Sequence, residues 1–176
     1  PAGKRFAVIA EAILREIEHG RREVQEIAGT SASTIKILVT HALALSFFPQ
    51  WLATLQSKTE TALRVQMTAD NLSSSEKMML NGQAHFCLCH HNPAAASVLD
   101  GSGFQFISLG TDSLVAVSAP REGTKAPLHD LDGDANRSVN LLSYGAGSGM
   151  DRIVSAMIEQ SAVPAVFHPV FTSHTL

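Results

Sequence analysis

Small and apolar residues recur at alternating steps of four and three along the first 28 residues of the chain. The seam that they form comprises Phe6, Ala10, Ile13, Ile17, Gly20, Val24 and Ile27. This spacing is the heptad period of about 3.5 residues, and oppositely charged residues four apart occupy the other faces. The pattern predicts a helix over residues 5–28, about 36 Å long at the usual rise per residue.

This first helix has two interpretations. It is too long and too polar to lie flat on a small domain, and small residues at 29–33 separate it from the rest of the chain. A projecting linker or coiled-coil helix fits these features, and the alternative is an amphipathic helix packed on its own domain. In the first interpretation two copies of the chain associate along the seam. The expected dimerisation residues are Phe6, Ile13, Ile17, Val24 and Ile27.

From residue 34 onward, apolar runs typical of strands alternate with segments of helical period. Serines at 73–75 are candidate N-caps for the second helix of this region, and Asn81-Gly82 marks its end. The alternation indicates an α/β fold with a mostly parallel sheet, which binds ligands at the carboxyl ends of its strands. Strands are predicted at residues 35–39, 63–69, 84–89, 104–109, 114–118, 139–143 and 165–171. Helices are predicted at 42–55, with a kink or late start at Pro49, at 73–80 and at 149–160.

Composition and charge limit the class of protein. The chain has 176 residues, 45% of them hydrophobic, which suffices for one domain or two small lobes without a disulfide or metal. Segment 120–136, rich in Gly, Pro and Asp, is the best candidate for a lobe boundary. A net charge of −3 argues against nucleic-acid binding by this chain alone. No membrane span or signal peptide is evident, and the cysteine usage indicates a reducing compartment, so we expect a cytoplasmic protein.

The order of these elements resembles the regulatory half of LysR-type transcriptional regulators. After the heptad-like helix and the small-residue break, the resemblance is carried by Ile35-Lys36-Ile37-Leu38-Val39-Thr40-His41-Ala42-Leu43-Ala44-Leu45-Ser46-Phe47-Phe48-Pro49. Further matches are Leu80-Asn81-Gly82, Ala84-His85-Phe86-Cys87 and the crossover strand Leu114-Val115-Ala116-Val117-Ser118-Ala119-Pro120. Leu141-Leu142-Ser143-Tyr144 and the helix starting near Met150 are most similar to the hypochlorite-responsive subgroup.

The resemblance implies a two-lobe, periplasmic-binding-protein-like (type 2) α/β regulatory domain preceded by a long linker helix. It divides the chain into the linker or dimerisation helix at 1–30, lobe I at 31–120 and an incomplete lobe II at 121–176. A small polar or anionic effector is expected in an interlobe crevice, with no cofactor and no catalysis. The family's winged helix-turn-helix is absent, so we expect DNA binding only through that missing part, and a homodimer or homotetramer. The chain is therefore expected to be a fragment at both ends.

The expected effector contacts follow the strand ends. Thr40 ends the first strand and adds a hydroxyl to the backbone N–H groups of a helix start, and in the family this position is a principal effector contact. Asn71 forms the equivalent corner after the second strand, and His90 and His91 leave the third. A glycine-rich rim and the end of the last strand face them in the second lobe. The full expected set is Thr40, His41, Ala42, Asn71, His90, His91, Tyr144, Gly145, Thr172 and Ser173.

Cys87 and Cys89 form, with the two histidines at 90 and 91, the densest cluster of reactive residues in the chain. On a strand both cysteines share one face, where free cysteines usually serve as small hydrophobes. Redox sensing and a zinc or copper site remain open alternatives, although a tetrahedral site needs a ligand from elsewhere. Their Cβ atoms are expected to be too far apart for an easy disulfide. We therefore expect no metal and slow thiol reaction, and an oxidant-sensing domain remains the alternative.

The turn Gly145-Ala146-Gly147-Ser148-Gly149 invites two enzymatic interpretations, and neither is complete. Dinucleotide binding needs an acidic residue at the end of the next strand, and residues 171–173 offer none. A nucleophile elbow needs a serine where Gly147 stands. We therefore expect no catalytic residues. The other alternative keeps the fold and makes the chain a solute-binding protein of a transporter, against which the heptad helix and the lack of a secretory signal count.

Overall fold

The computed structural model describes residues 2–27, 34–59, 63–129, 131, 137–146, 148–161 and 165–173. The chain forms two compact units, Pro1–His90 and His91–Leu176. The predicted domain boundaries after residues 30 and 120 divide the chain differently, and they stay predictions. Among the described residues, no helix has the length and apolar character needed to cross a membrane.

The first element is the predicted long helix, α1 (Ala2–Ile27). Its apolar seam is exposed along its length, with 73% of Phe6, 54% of Ile13, 59% of Ile17 and 65% of Val24 accessible. The side chain of Ile27 lies outside the described residues. The exposure disagrees with a helix that packs this seam on its own domain, because the apolar face would then be covered. Association through the seam stays a prediction.

The rest of the first unit is a three-stranded parallel sheet with helices. Its elements are β1 (Thr34–Thr40), α2 (His41–Ser46), α3 (Phe48–Lys58), β2 (Arg64–Asp70), α4 (Leu72–Leu80) and β3 (Phe86–Leu88), and the strand order is β2-β1-β3. Ile37, Leu38 and Val39 are buried as a continuous run, as expected for the central strand of a parallel sheet. Ile37 and Val39 form a buried core cluster with Ala44 and Phe48. The predicted parallel α/β sheet is thus confirmed for this unit.

The helix boundaries in the first unit agree only in part with those predicted from the sequence. The predicted helix at 42–55 is two helices separated at Phe47, because Pro49 fits only the first turn of the second. The predicted serine cap of α4 is wrong, because the cap is Asn71, whose side-chain oxygen accepts from the Ser74 N–H at 2.9 Å. The predicted end of α4 is confirmed, and Gly82 takes a positive φ of 63° there, which glycine adopts without strain.

The second unit contains β4 (Arg137–Tyr144), α5 (Gly149–Ser161) and β5 (Ala165–Ser173), with β4 and β5 paired in parallel. This strand–helix–strand order agrees with the prediction. The register shifts between Leu141 and Leu142, which pair with Pro169 and Phe171 and skip Val170. Proline has no N–H to donate to the ladder, so a bulge beside it is the physical solution.

The strands predicted at 104–109 and 114–118 are wrong, because no strand is formed over 104–119. The apolar pattern there is real, but Ile107 and Val117 are 83% and 89% exposed, and a strand requires a partner to complete its hydrogen-bond ladder. An isolated antiparallel bridge between Pro120 and Pro127 closes a hairpin turn instead. The strand predicted at 84–89 is also shorter, because only Phe86–Leu88 pair with β1.

Candidate functional site

Thr40 lies where β1 ends and α2 begins, at the carboxyl edge of the first sheet. Its backbone is extended, with φ −65° and ψ 146°, and its side chain makes no capping hydrogen bond to α2. The hydroxyl oxygen Oγ1 is buried and has no hydrogen-bond partner among the described residues. A buried hydroxyl without a partner costs about 1–3 kcal/mol, so such a group in a folded protein calls for an explanation.

The neighbouring corner, at the end of β2, is held together by a carboxylate. Asp70 is the register partner of Thr40 across the two strands. Its Oδ1 accepts hydrogen bonds from the Asn71 backbone N–H at 2.7 Å and from the Asn71 side-chain amide at 3.0 Å. Because the Asn71 oxygen also caps α4, both ends of this amide already have partners within the fold. Asn71 therefore shapes the corner, and Asp70 supplies its charge.

The other predicted residues of this unit lie at the same edge. His41 and Ala42 form the exposed first turn of α2. His90 is half-buried and follows β3, whose last residue Leu88 pairs with Val39. The structure thus brings Thr40, Asn71 and His90 to the carboxyl ends of three neighbouring strands, the place where open α/β sheets bind ligands.

The second unit has a similar carboxyl edge, formed by β4 and β5. Tyr144 and Ser173 end these strands and are Cα partners, and Thr172 precedes Ser173. The Gly145 N–H donates to the Ser173 carbonyl oxygen at 2.7 Å, which fixes the start of the turn. Ser148 is buried, and its hydroxyl accepts from the Asp151 N–H at 3.2 Å near the start of α5.

His91 differs from the other predicted residues of the first edge because it is grouped with the second unit. Its ring packs against the Phe106 ring, with the centroids 5.3 Å apart. Gly147, in the glycine-rich turn, lies outside the described residues. The predicted contacts thus form one group in each unit.

Cys87 lies in β3 and Cys89 follows its end, and both are half-buried free thiols. A hydrogen bond joins the two thiols, and this bond, burial and the nearby Glu76 carboxylate all raise the pKa of Cys87. A raised pKa keeps the thiol protonated and weakly nucleophilic. Within the described part of the chain, no group of three or more His, Cys, Asp or Glu residues is placed to hold a metal ion.

Two features of this region are not predictable from the residue pattern. The His85 ring nitrogen Nδ1 accepts from the Lys36 N–H at 3.1 Å, and the His85 N–H donates to the Lys36 carbonyl at 3.0 Å. This pair of bonds continues the β1–β3 ladder beyond the residues of β3. Glu76 and Ser75 are buried, with 2% and 0% exposure, although the run Ser73-Ser74-Ser75-Glu76 is typical of a solvent-exposed helix start. No sequence signal distinguishes these two residues from their neighbours.

Comparison with known proteins gives the family. A family model described as the LysR substrate binding domain matches residues 28–176. A search of curated proteins finds no match. Among solved structures, Vibrio fischeri DarR in complex with DNA has a TM-score of 0.54 and 21% identity, and the match covers 99% of this chain and 56% of that one. This chain therefore spans little more than half the length of DarR.

Two further solved structures are of Salmonella typhimurium HypT, a hypochlorite-specific LysR-type transcriptional regulator. The full-length protein has a TM-score of 0.48 and 20% identity, with 99% of this chain and 55% of that one covered. Its regulatory domain has a TM-score of 0.47 and 19% identity, with 82% and 63% covered. At these scores the hypochlorite-responsive subgroup stays a prediction. The family-model match, together with the α/β fold shared with DarR, places the chain in the LysR substrate-binding domain family, the effector-binding regulatory domain of LysR-type transcriptional regulators.

Proposed function

We propose that this chain senses a small polar or anionic metabolite at the carboxyl edge of its first sheet and thereby modulates DNA binding by a parent regulator. The carrying observation is the buried Thr40 hydroxyl without a partner among the described residues. A ligand that hydrogen-bonds to Oγ1 would satisfy this group, so the free energy that it costs in the empty protein becomes a contribution to binding. The sheet edge supplies the expected location, since open α/β sheets bind ligands there.

The proposal assigns different roles to the residues around Thr40. The Thr40 hydroxyl donates to or accepts from the ligand, and the backbone N–H groups of His41 and Ala42 at the start of α2 favour negative charge. The His41 imidazole is exposed and can contact the ligand's rim, and His90 borders the third strand end. The second edge, with Tyr144, Gly145, Thr172 and Ser173, carries polar groups of the same kind, and its contribution to effector binding stays a prediction.

The proposal includes a homodimer or homotetramer formed through α1. In the single chain the seam leaves Phe6, Ile13, Ile17 and Val24 more than half exposed, an apolar stripe that a heptad partner would cover. DNA would be bound only by a winged helix-turn-helix attached to this domain in a cytoplasmic parent protein. Effector binding would act by shifting the populations of assemblies that hold those DNA-binding parts at different spacings.

The test begins with a thermal-shift screen of the purified chain against a panel of small organic acids, amino acids and sugars. Any compound that raises the melting temperature is then titrated by calorimetry into the wild-type protein and the Thr40→Val variant. The proposal expects saturable binding that is weaker in Thr40→Val. Binding of equal affinity to both proteins would remove Thr40 from the site. Absence of an effect of the same compound on operator binding by the parent protein would contradict the regulatory role.

A further inference from the structure

The start of β3 is joined to β1 by a side chain as well as by the backbone. The Lys36 N–H donates to the ring nitrogen Nδ1 of His85 at 3.1 Å, and the His85 N–H donates to the Lys36 carbonyl oxygen at 3.0 Å. Both residues are exposed, so protons reach the imidazole without any opening of the fold. We call this two-bond contact the His85 clasp.

The His85 clasp lengthens a short strand pairing. The regular register of β3 with β1 covers Phe86–Leu88. The chain before His85 turns toward α4, where the Gln83 N–H donates to the Met78 carbonyl oxygen at 2.9 Å. The imidazole therefore supplies, in place of a backbone carbonyl, the acceptor that the Lys36 N–H needs at this end of the ladder.

A neutral imidazole accepts a hydrogen bond at one ring nitrogen and donates at the other. In the His85 clasp Nδ1 is the acceptor, so Nε2 carries the proton. When the ring takes up a second proton, Nδ1 becomes a donor directed at the Lys36 N–H, and the bond between them is lost. The other bond of the clasp joins two backbone groups and does not depend on the charge of the ring. Protonation thus removes one half of the contact and leaves the other.

We propose that the His85 clasp is a pH-sensitive device, which holds the start of β3 on β1 while the ring is neutral and loosens when the ring is protonated. Histidine is the side chain that ordinarily changes charge between about pH 5 and 8. The contact is complete at the upper end of this range and weaker at the lower end. The clasp is separate from the candidate effector edge, because His85 precedes β3 and His90 follows it.

Other groups that titrate or carry charge lie on the elements that pack against the start of β3, which are β1 and α4. They are Lys36 on β1, Glu76 and Lys77 on α4, and Cys87 on β3 itself. The raised pKa of Cys87 keeps its thiol protonated through the range in which histidine titrates. Any contribution from Glu76 or the two lysines is retained when His85 is replaced by an uncharged residue, so such a replacement isolates the effect of the ring.

The test follows the Lys36 amide proton by NMR in the full chain across about pH 5–8. In the wild-type protein its protection from hydrogen exchange, corrected for the intrinsic rate, should fall about two- to tenfold at the acidic end, the factor that a typical hydrogen bond contributes. Its chemical shift should follow the titration of the His85 ring. The Ser75 N–H, which donates to the Asn71 carbonyl oxygen at 3.0 Å, should keep its protection and so show that the fold is intact.

Two variants separate the charge of the ring from its hydrogen bond. His85→Asn offers an uncharged acceptor near the position of Nδ1, since its Oδ1 is also bonded to Cγ, and it should remove the pH dependence. His85→Ala offers no acceptor and should leave Lys36 weakly protected at every pH. A pH dependence that persists in His85→Asn would assign the effect to Glu76 or another neighbour and overturn the proposal. Lys36 protection that is independent of pH in the wild-type protein would also overturn it, and this measurement requires no variant to fold.

Discussion

Replacing Thr40 by valine should stabilise the empty protein and weaken effector binding. Valine keeps the branched shape and substitutes a methyl group for the hydroxyl, so the change removes the polar atom with little change in packing. Because Thr40 Oγ1 is buried without a partner among the described residues, it costs about 1–3 kcal/mol in the ligand-free state. Taking the lower end, the free energy of unfolding should rise by about 1 kcal/mol, which corresponds to about 2–4 °C in melting temperature for a chain of this size.

The same substitution should have the opposite sign in the complex. If a ligand donates to or accepts from Oγ1 in the buried site, valine leaves that ligand group without its partner. A loss of about 1 kcal/mol raises the dissociation constant roughly fivefold, and a charged ligand group would raise the loss to about 1.5–3 kcal/mol. If Thr40 only supported the fold, its replacement by valine would not both stabilise the ligand-free protein and weaken the complex.

Melting followed by circular dichroism and ligand titration by calorimetry measure the two effects of Thr40→Val. Ser75→Ala is the matched control, since the Ser75 hydroxyl is also buried without a partner in the described part of the chain. It should raise the melting temperature without changing affinity. Thr54→Val removes an exposed hydroxyl that donates to the Gln50 carbonyl at 2.9 Å, and it should change stability by less than about 0.5 kcal/mol. A lower melting temperature for Thr40→Val would refute the claim that its hydroxyl is unsatisfied.

Three further predictions concern other parts of the chain. The double change Ile13→Asp/Ile17→Asp places charges in the apolar seam of α1 and should shift sedimentation toward monomer; an unchanged mass would refute association through the seam. His85→Ala removes the acceptor of the Lys36 N–H, so it should lower stability by about 0.5–1.5 kcal/mol and speed hydrogen exchange at Lys36, and an unaltered exchange rate would show that the bond contributes nothing. Glu76→Gln removes a charge that raises the pKa of Cys87, so the variant holds more thiolate at a given pH than the wild type. Iodoacetamide should therefore label Cys87 faster in the folded variant than in the folded wild type. In urea, where both proteins are unfolded, the two labelling rates should be equal.

The sequence predicts elements well where burial determines the residue pattern. Residues 35–39 form a continuous apolar run because both faces of the central strand are covered, and β1 lies there. The strands predicted at 104–109 and 114–118 fail for a different reason. Alternating apolar residues favour the pairing of one strand with another. A strand forms only where a neighbouring strand supplies the N–H and C=O groups that complete its hydrogen bonds.

The position of the expected site residues at the strand ends is predictable from the sequence, whereas their contacts are much less so, and effector binding there stays a prediction. Strand ends place Thr40, Asn71 and His90 at one edge because parallel strands end together. The cap of α4 was misassigned because Asn71, Ser73, Ser74 and Ser75 are all good capping residues, and the choice depends on where β2 ends. The unpartnered hydroxyl, the thiol–thiol hydrogen bond and the bond from Lys36 to the His85 ring arise from tertiary packing, which one-dimensional spacing does not encode.

The pairing of Thr40 with Asp70 across β1 and β2 has a consequence for the kind of molecule that fits this edge. An acceptor-only carboxylate stands beside a neutral hydroxyl, and its Oδ1 already receives two N–H donors from Asn71. A second anion about 4 Å from it would be repelled by about 4 kcal/mol at an effective dielectric constant of about 20. A ligand that spans both corners must therefore be bipolar, with its negative or accepting end toward Thr40 and an ammonium or hydroxyl group toward Asp70. If the proposed effector site lies at this edge, the pairing of Thr40 with Asp70 should favour amino acids and polyols over symmetrical dicarboxylates.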